Sequence, residues 1–476
     1  MIKFPAPLSF VSGALMALAM PPVQLWPVIF LCVPLFLLCL STAQSRKAAF
    51  GLSWLFGFGF FLCSLYWIAH ALWIDIARYW WALPFALSVL PALLSLFWAL
   101  AGTLSWLLAQ AGKRYRLLIL FLGWSASIAV FEMLRGVLFS GFPWNLLVES
   151  WTGMLVMLQA LDRLGLYAVN GLSWLWAGLP FLFYALLHNK RSVLTLAVLI
   201  LSGLSLGLNI GYGSWKLGNA PPLQPSAAGP QIALIQPAIP QAEKWDPALQ
   251  EREQDRLVKL TLKSANAAGN RPVWVIWPET AILQTSADLP GQLLKEFPDG
   301  SRLMTGLLRW QQSPQGVRRY YNSLAVYEKG SNAPVALYDK HKLVPFGEYM
   351  PLSKWINLAP LTGIEDFTPG PLPRPFPVSE DHTIWPLVCY EILFPGMSPA
   401  RDKEDAVLIN VTNDAWYGTS AGPYQHLSKA RLRAIQSRKT VIRAANTGIS
   451  AVYDRYGREL ARIDLNRAGF RILEGL

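Results

Sequence analysis

Cys389 closes the run TIWPLVCYE and is the one cysteine of four that lies in the polar half of the chain; Cys32, Cys39 and Cys63 fall in apolar runs. A thiol of ordinary pKa, about 8.5, is only slightly ionised at neutral pH, so a nucleophilic cysteine needs a base or a positive neighbour. Histidine is a poor source of that base, because neither His341 nor His382 has the context of a Cys/His enzyme. Glutamate and lysine remain. A carboxylate buried beside the thiol rises in pKa until it can accept a proton, and a nearby ammonium stabilises the oxyanion formed on attack at an ester carbonyl. Two other runs end in polar residues, VWVIWPE in Glu279 and VLINVTND in Asn413 and Asp414. Glu279 is one carboxylate that such a strand end supplies, whereas Asn413 and Asp414 read more simply as turn residues.

These residues need strands to carry them. From Gln231 onward the sequence consists of short β-rich runs (QIALIQ, VWVIWPE, NSLAVYEKG, TIWPLVCYE, AVLINVTND) separated by helical stretches near 247–266 and 423–437. This predicts an α/β domain over residues 231–470. Ligand sites in such sheets gather at the carboxyl ends of strands, so one cleft can collect all three run ends. The segment before it, YGSWKLGNAPPLQPSAAGP at 212–230, is rich in Gly, Pro, Ser and Ala and reads as a linker.

Residues 1–211 belong to another solvent. The chain is 53% hydrophobic with 21 Trp among 476 residues, more than one soluble core requires. Apolar runs at 23–40, 49–74, 82–110, 117–134, 164–187 and 193–211 approach the roughly 20 residues a bilayer demands. Leu8–Met20 is a shorter seventh, retained rather than cleaved as a signal peptide. Charge is unevenly placed: residues 1–229 hold 12 Lys and Arg against 4 Asp and Glu. Lys3, Arg46, Lys47, Lys113, Arg114, Arg116, Lys190 and Arg191 all fall in loops on one side, which the positive-inside rule makes cytoplasmic. An odd number of spans then puts the α/β domain in the periplasm. The loop from Arg135 to Asp162 mixes Phe and Trp with a few charges, as at a headgroup interface, with a lipid entry path as its sharper reading. Nucleic acid is excluded as a partner by the absence of any basic stripe or recognition motif, and the scattered His and Cys leave no metal-ligand pattern.

The motifs WPET, YDKHKLVPFGEYMP, LVCYE and NDAWYG resemble the nitrilase superfamily, and the chain is most similar to its membrane-bound apolipoprotein N-acyltransferase branch through GFPWN, IQPAIPQAEKWD and RAANTGIS. That resemblance implies an α-β-β-α sandwich behind a helical membrane half. It makes Glu279 the general base, Lys340 the electrostatic stabiliser and Cys389 the nucleophile, with Glu348 orienting Lys340. Tyr390 and Glu391 flank the nucleophile, the backbone N–H after Cys389 serves as an oxyanion donor, and Asn322 and Trp245 lie around the site. It further implies a phospholipid acyl donor, a diacylglyceryl-apolipoprotein acceptor, the inner membrane as location, and no metal or organic cofactor. The alternative is a membrane-tethered amidase with water as second acceptor. Two departures stand out: residues 471–476 end the sequence where relatives continue into a final membrane helix, and Gln436 stands where an acid is expected. The apolar, Pro-broken stretch 349–369 suits a loop that gates lipid entry.

Overall fold

The computed structural model describes residues 2–188, 192–222, 229–244, 246, 248–284, 288–314, 316–351, 366–379, 381–399 and 406–475. They form two compact units, Met1–Ala220 and Pro221–Leu476. Trp245 and most of the stretch expected to gate lipid entry (352–365) lie outside the described residues.

The first unit is helical: α1 (Pro5–Met16), α2 (Ile29–Ser41), α3 (Arg46–Ser64), α4 (Leu83–Ala111), α5 (Arg116–Val137), α6 (Leu166–Ala177), α7 (Leu179–His188) and α8 (Val193–Gly218). Among the described residues, α3, α4, α5 and α8 are long and apolar enough to cross a membrane, and α6 with α7 makes a fifth stretch bent by 42°. Pro180 at the start of α7 lacks an N–H and crowds the preceding turn, which accounts for the bend. The expected count of seven therefore becomes four or five by length and composition, because α1 and α2 are apolar but short.

Three sequence-based boundaries move for identifiable reasons. The run read as 49–74 is broken after Ser64, whose carbonyl is taken by Trp67 Nε1 at 3.1 Å and Asn145 Nδ2 at 3.3 Å, and continues only in short helical turns at Tyr66–Ala69 and His70–Trp73. The first part of the expected linker, 212–218, continues α8 instead. Lys216 Nζ there pairs with buried Asp162 at 2.8 Å. Gly213 lets the helix pass the Val156 carbonyl, which a Cβ would approach to 1.9 Å. The segment after 470 also belongs to the second unit, since its last strand runs to Leu473.

The loop expected to lie at a headgroup interface divides: Leu138 and Phe139 near its start are exposed, whereas its middle is core. Pro143–Trp151 is buried throughout, and Arg135 donates to the carbonyls of Phe142 and Trp144 at 2.7 and 2.9 Å while pairing with Glu132 at 2.8 Å. Trp98, Trp124, Trp144, Trp151, Trp174 and Trp176 are buried in the interior of this unit, where Trp98 and Trp124 each meet Trp174 edge-on at 5.0 and 5.5 Å.

The second unit stacks two sheets. The first runs β13-β1-β2-β4-β5-β6, with β3 (Ile282–Leu283) beside β4; the second runs β12-β11-β10-β9-β8-β7, where β7 is Phe376–Pro377, β11 Ser450–Tyr453 and β12 Glu459–Ile463. The strands that matter below are β1 (Gln231–Gln236), β2 (Val273–Ile276), β4 (Arg302–Gln312), β5 (Arg318–Glu328), β6 (Ala336–Asp339), β8 (Thr383–Val388), β9 (Ala406–Thr412), β10 (Val441–Ala445) and β13 (Gly469–Leu473). Alternate residues decide the layers. Ile232, Leu234, Trp274 and Ile276 pack between the sheets against Ile384, Val388, Ile409 and Ile442, whereas Ala233, Ile235, Val275 and Trp277 turn to the outer side with Leu257 and Ala268 of α9 (Gln250–Ala268). With α10 (Leu289–Leu293) also on that side and α11 (Gly422–Ser437) packed on β10, the unit is an α-β-β-α sandwich. Strands covered on both faces need near-continuous apolar runs, which is why QIALIQ and VWVI carry so little polar alternation.

Candidate active site

Parallel pairing of β1 with β2, β2 with β4, and β8 with β9 aligns their carboxyl ends. Glu279 follows β2 through Trp277-Pro278. Its loop lies so close to β4 that a Cβ on Gly306 would stand 2.5 Å from the Glu279 Cα, so only glycine lets the two backbones pass. Asn322 comes from β5 and Lys340 directly after β6; the Lys340 N–H donates to the Asn322 carbonyl at 2.8 Å.

The side chains meet in one buried knot. Lys340 Nζ lies 2.8 Å from Glu348 Oε1 and 3.5 Å from Glu279 Oε1. Asn322 Nδ2 donates to the same two oxygens, at 2.7 Å to Glu279 and 2.9 Å to Glu348. Glu348 Oε2 accepts from the Val344 N–H at 2.8 Å, which ties the knot to its own turn. Burial draws the Lys340 ammonium down, but Glu348 and Glu279 outweigh it and hold it above its ordinary value. It therefore stays charged at neutral pH.

Cys389 sits at the end of β8 with φ +51°, a left-handed conformation that a non-glycine residue adopts only when its surroundings impose it. It is buried, and burial pushes its thiol well up; the Glu279 charge adds to this, while Lys340 and a hydrogen bond from Thr412 oppose it. The thiol is thus protonated at neutral pH and lies within electrostatic reach of a carboxylate and an ammonium.

Glu391 does more than flank Cys389. Its Oε2 accepts from the Val388 N–H at 2.7 Å, and its Oε1 from Tyr338 Oη at 2.7 Å and the His341 and Lys342 N–H groups at 2.8 and 3.0 Å. One carboxylate so clamps the cysteine turn to the lysine loop. Replacing it with alanine orphans buried donors at about 1–3 kcal/mol each. Glu391→Ala should therefore lower the melting temperature and also slow acylation at temperatures where the protein stays folded; an unchanged melt would contradict the clamp. Tyr390 is buried with its ring edge-on to Phe394 at 5.0 Å.

Several neighbours escape sequence reasoning. Lys244, one residue before Trp245, donates from Nζ to the Glu279 carbonyl at 2.9 Å and to Thr280 Oγ1 at 2.6 Å. Burial pulls its ammonium down to about 8 against the attraction of Glu279. Asp414, read as a turn residue, is fully buried between His426 at 2.8 Å and Arg443 at 2.6 Å. Burial opposes its charge, yet Arg443 and His426 hold the carboxyl below its ordinary value. Buried Arg433 donates to the carbonyls of Ile392 and Leu393, both at 3.2 Å, and to Gln436, which explains what that residue does in place of an acid. Among the described residues no group of His, Cys, Asp and Glu is arranged to hold a metal.

A family model described as Apolipoprotein N-acyltransferase N-terminal domain matches residues 12–179, and one described as Carbon-nitrogen hydrolase matches residues 231–474. The apolipoprotein N-acyltransferase of Rhizobium rhizogenes is 36% identical over 490 residues, covering 97% of this chain and 88% of the relative. That of Brucella melitensis is 33% identical over 479 residues, with the same coverage of each. That of Rhodopseudomonas palustris is 33% identical over 484 residues, covering 98% of this chain and 88% of the relative.

Proposed function

Since the chain belongs to the apolipoprotein N-acyltransferase family, we propose that it moves an acyl chain from a membrane phospholipid, through a thioester on Cys389, to the N-terminal amine of a diacylglyceryl-cysteine on an apolipoprotein. The observation that carries this reading is the knot of Glu279, Lys340, Asn322 and Glu348, in which the charges of Glu279 and Lys340 act on the buried Cys389 thiol.

The first half-reaction begins with a protonated thiol. As Sγ bonds to the ester carbonyl carbon, its proton passes to Glu279, and Lys340 takes up the charge growing on the carbonyl oxygen. The ester C–O bond breaks, Glu279 returns the proton to the leaving oxygen, and a lysophospholipid departs. In the second half the neutral α-amine attacks the thioester. The C–S bond breaks as the N–C bond forms, and Glu279 carries the surplus amine proton to the departing thiolate. Asn322 and Glu348 hold Glu279 and Lys340 in place through the bonds given above. No step calls on a metal or an organic cofactor.

In vesicles of phosphatidylethanolamine and phosphatidylglycerol without acceptor, one lysophospholipid should be released per enzyme and then stop, with an acyl adduct in the intact mass. Sustained release into water would favour the hydrolase and overturn the transferase.

In the same reading the protein is a multi-pass protein of the inner membrane. Seven spans arise if α1 and α2 cross as short helices and α6 with α7 crosses as one bent span. The cationic loops then put residues 231–470, linked through 219–230, in the periplasm. Asp299 offers a site for a probe, its side chain being 95% exposed. In a background lacking Cys63, Asp299→Cys should react with a membrane-impermeant thiol reagent in cells whose outer membrane admits it. Labelling only after the inner membrane is broken would reverse the orientation.

A further inference from the structure

A second polar network converges on Cys389, on its backbone rather than its thiol. Arg443 in β10 is fully buried, and its guanidinium spans two acceptors: Nη1 donates to Asn410 Oδ1 at 2.8 Å and Nη2 to Asp414 Oδ2 at 2.6 Å. The parallel register of β9 and β10 pairs Arg443 with Asn410 directly. With Oδ1 held by Arg443, the amide of Asn410 can turn only its Nδ2 the other way, and that group donates toward the carbonyls of Leu387 and Cys389 at 3.4 Å each. His426 from α11 reaches the same atom, its Nε2 lying 3.3 Å from the Cys389 carbonyl oxygen and its Nδ1 2.8 Å from Asp414.

Such a network is a poor way to gain stability, because burying an arginine, an aspartate and a histidine costs desolvation that apolar side chains would not. Its geometry has another use. A trans peptide is planar, so the carbonyl of Cys389 and the N–H of Tyr390 point in opposite directions. Holding that carbonyl toward β9 and α11 sends the Tyr390 N–H away from them.

We propose that Asn410, oriented by Arg443, is a positioning residue for acyl transfer: by holding the Cys389 carbonyl it aims the Tyr390 N–H at the oxyanion of the tetrahedral intermediate. This rests on Cys389 being the nucleophile, and it leaves proton transfer with Glu279. It also accounts for a histidine beside the nucleophile that faces the backbone.

Asn410→Asp separates the possibilities, since it keeps the oxygen that Arg443 binds and replaces the N–H donor with a second acceptor. Alkylation of Cys389 by iodoacetamide builds no oxyanion and acylation by a phospholipid does. The added carboxylate raises the thiol pKa as Glu279 does, so alkylation should slow only by that shift of its pH profile, while single-turnover acylation from phosphatidylethanolamine vesicles slows by about 100-fold beyond it, the cost of a misaligned oxyanion donor. Should the added carboxylate prevent folding, Asn410→Ala carries the same comparison. Alkylation and acylation falling by the same factor, or acylation unchanged, would overturn the proposal. Wild type and Cys389→Ala run alongside: an adduct that persists in Cys389→Ala sinks the nucleophile assignment and this inference with it, whereas a selective failure of the Asn410 variants concerns the inference alone.

Discussion

Cys389→Ala is expected to abolish the acyl-enzyme, while Cys32→Ala, Cys39→Ala and Cys63→Ala leave it intact. The contrast is one of surroundings rather than reactivity in general. Cys32, Cys39 and Cys63 lie in α2 and α3, among apolar residues. Cys389 alone ends a strand at φ +51° with its thiol under the charges of Glu279 and Lys340. Its side chain is small and its φ is held by Glu391 on the preceding N–H, so alanine should leave the clamp standing. The intact mass after incubation with phospholipid vesicles reads the result, and a thioester mapped to any other cysteine would reassign the nucleophile.

Glu279→Gln should leave the protein folded and suppress thioester formation by roughly 100-fold to 10,000-fold, the usual worth of a positioned base. The amide can keep an oxygen toward Asn322 and Lys340 but cannot take the thiol proton, and burial keeps that proton on sulfur. Lys340→Ala should slow acylation by about 100-fold to 1,000-fold through loss of oxyanion stabilisation. It carries a second effect as well. Glu279 and Glu348 would be left side by side without their counter-ion, and breaking a buried pair costs about 3–5 kcal/mol. Rates for the two variants should therefore be compared at equal folded fraction, with single-turnover acylation as the measure. Substantial acylation in Glu279→Gln would move the role of base elsewhere, and in Lys340→Ala would move that of stabiliser.

The two histidines weighed and set aside in the sequence both face other partners. His341 Nδ1 faces the Gly370 carbonyl at 2.7 Å and His382 Nδ1 faces Ser379 at 2.9 Å. His426, which sequence reasoning did not weigh, reaches the Cys389 carbonyl with its Nε2 at 3.3 Å. Its position on α11 gave no warning, because a histidine in a helix signals nothing about a strand-end cysteine 37 residues earlier.

What the sequence determined by itself follows from local physics. Long apolar runs with cations in alternate loops mark a membrane half, whatever the helices later do, since burying them in water-soluble form has no outlet. Short β-rich runs between helical stretches mark an α/β domain, and polar residues at the run ends mark a cleft at the carboxyl ends of its strands, whereas the sandwich entered only through the family resemblance. The tertiary structure decided what depends on partners far along the chain. Ser64 ends α3 because Asn145 caps it, and the GFPWN loop is buried because Arg135 binds its carbonyls. Glu391 is a clamp only because His341 and Lys342 come to it from some 50 residues away. Arg443 can orient Asn410 only in the parallel register of β10 on β9. Hydrophobic pattern is a property of a few neighbouring residues and survives any fold, whereas the partner of a buried polar group exists only once strands and helices have been brought together, and desolvation then makes finding one obligatory.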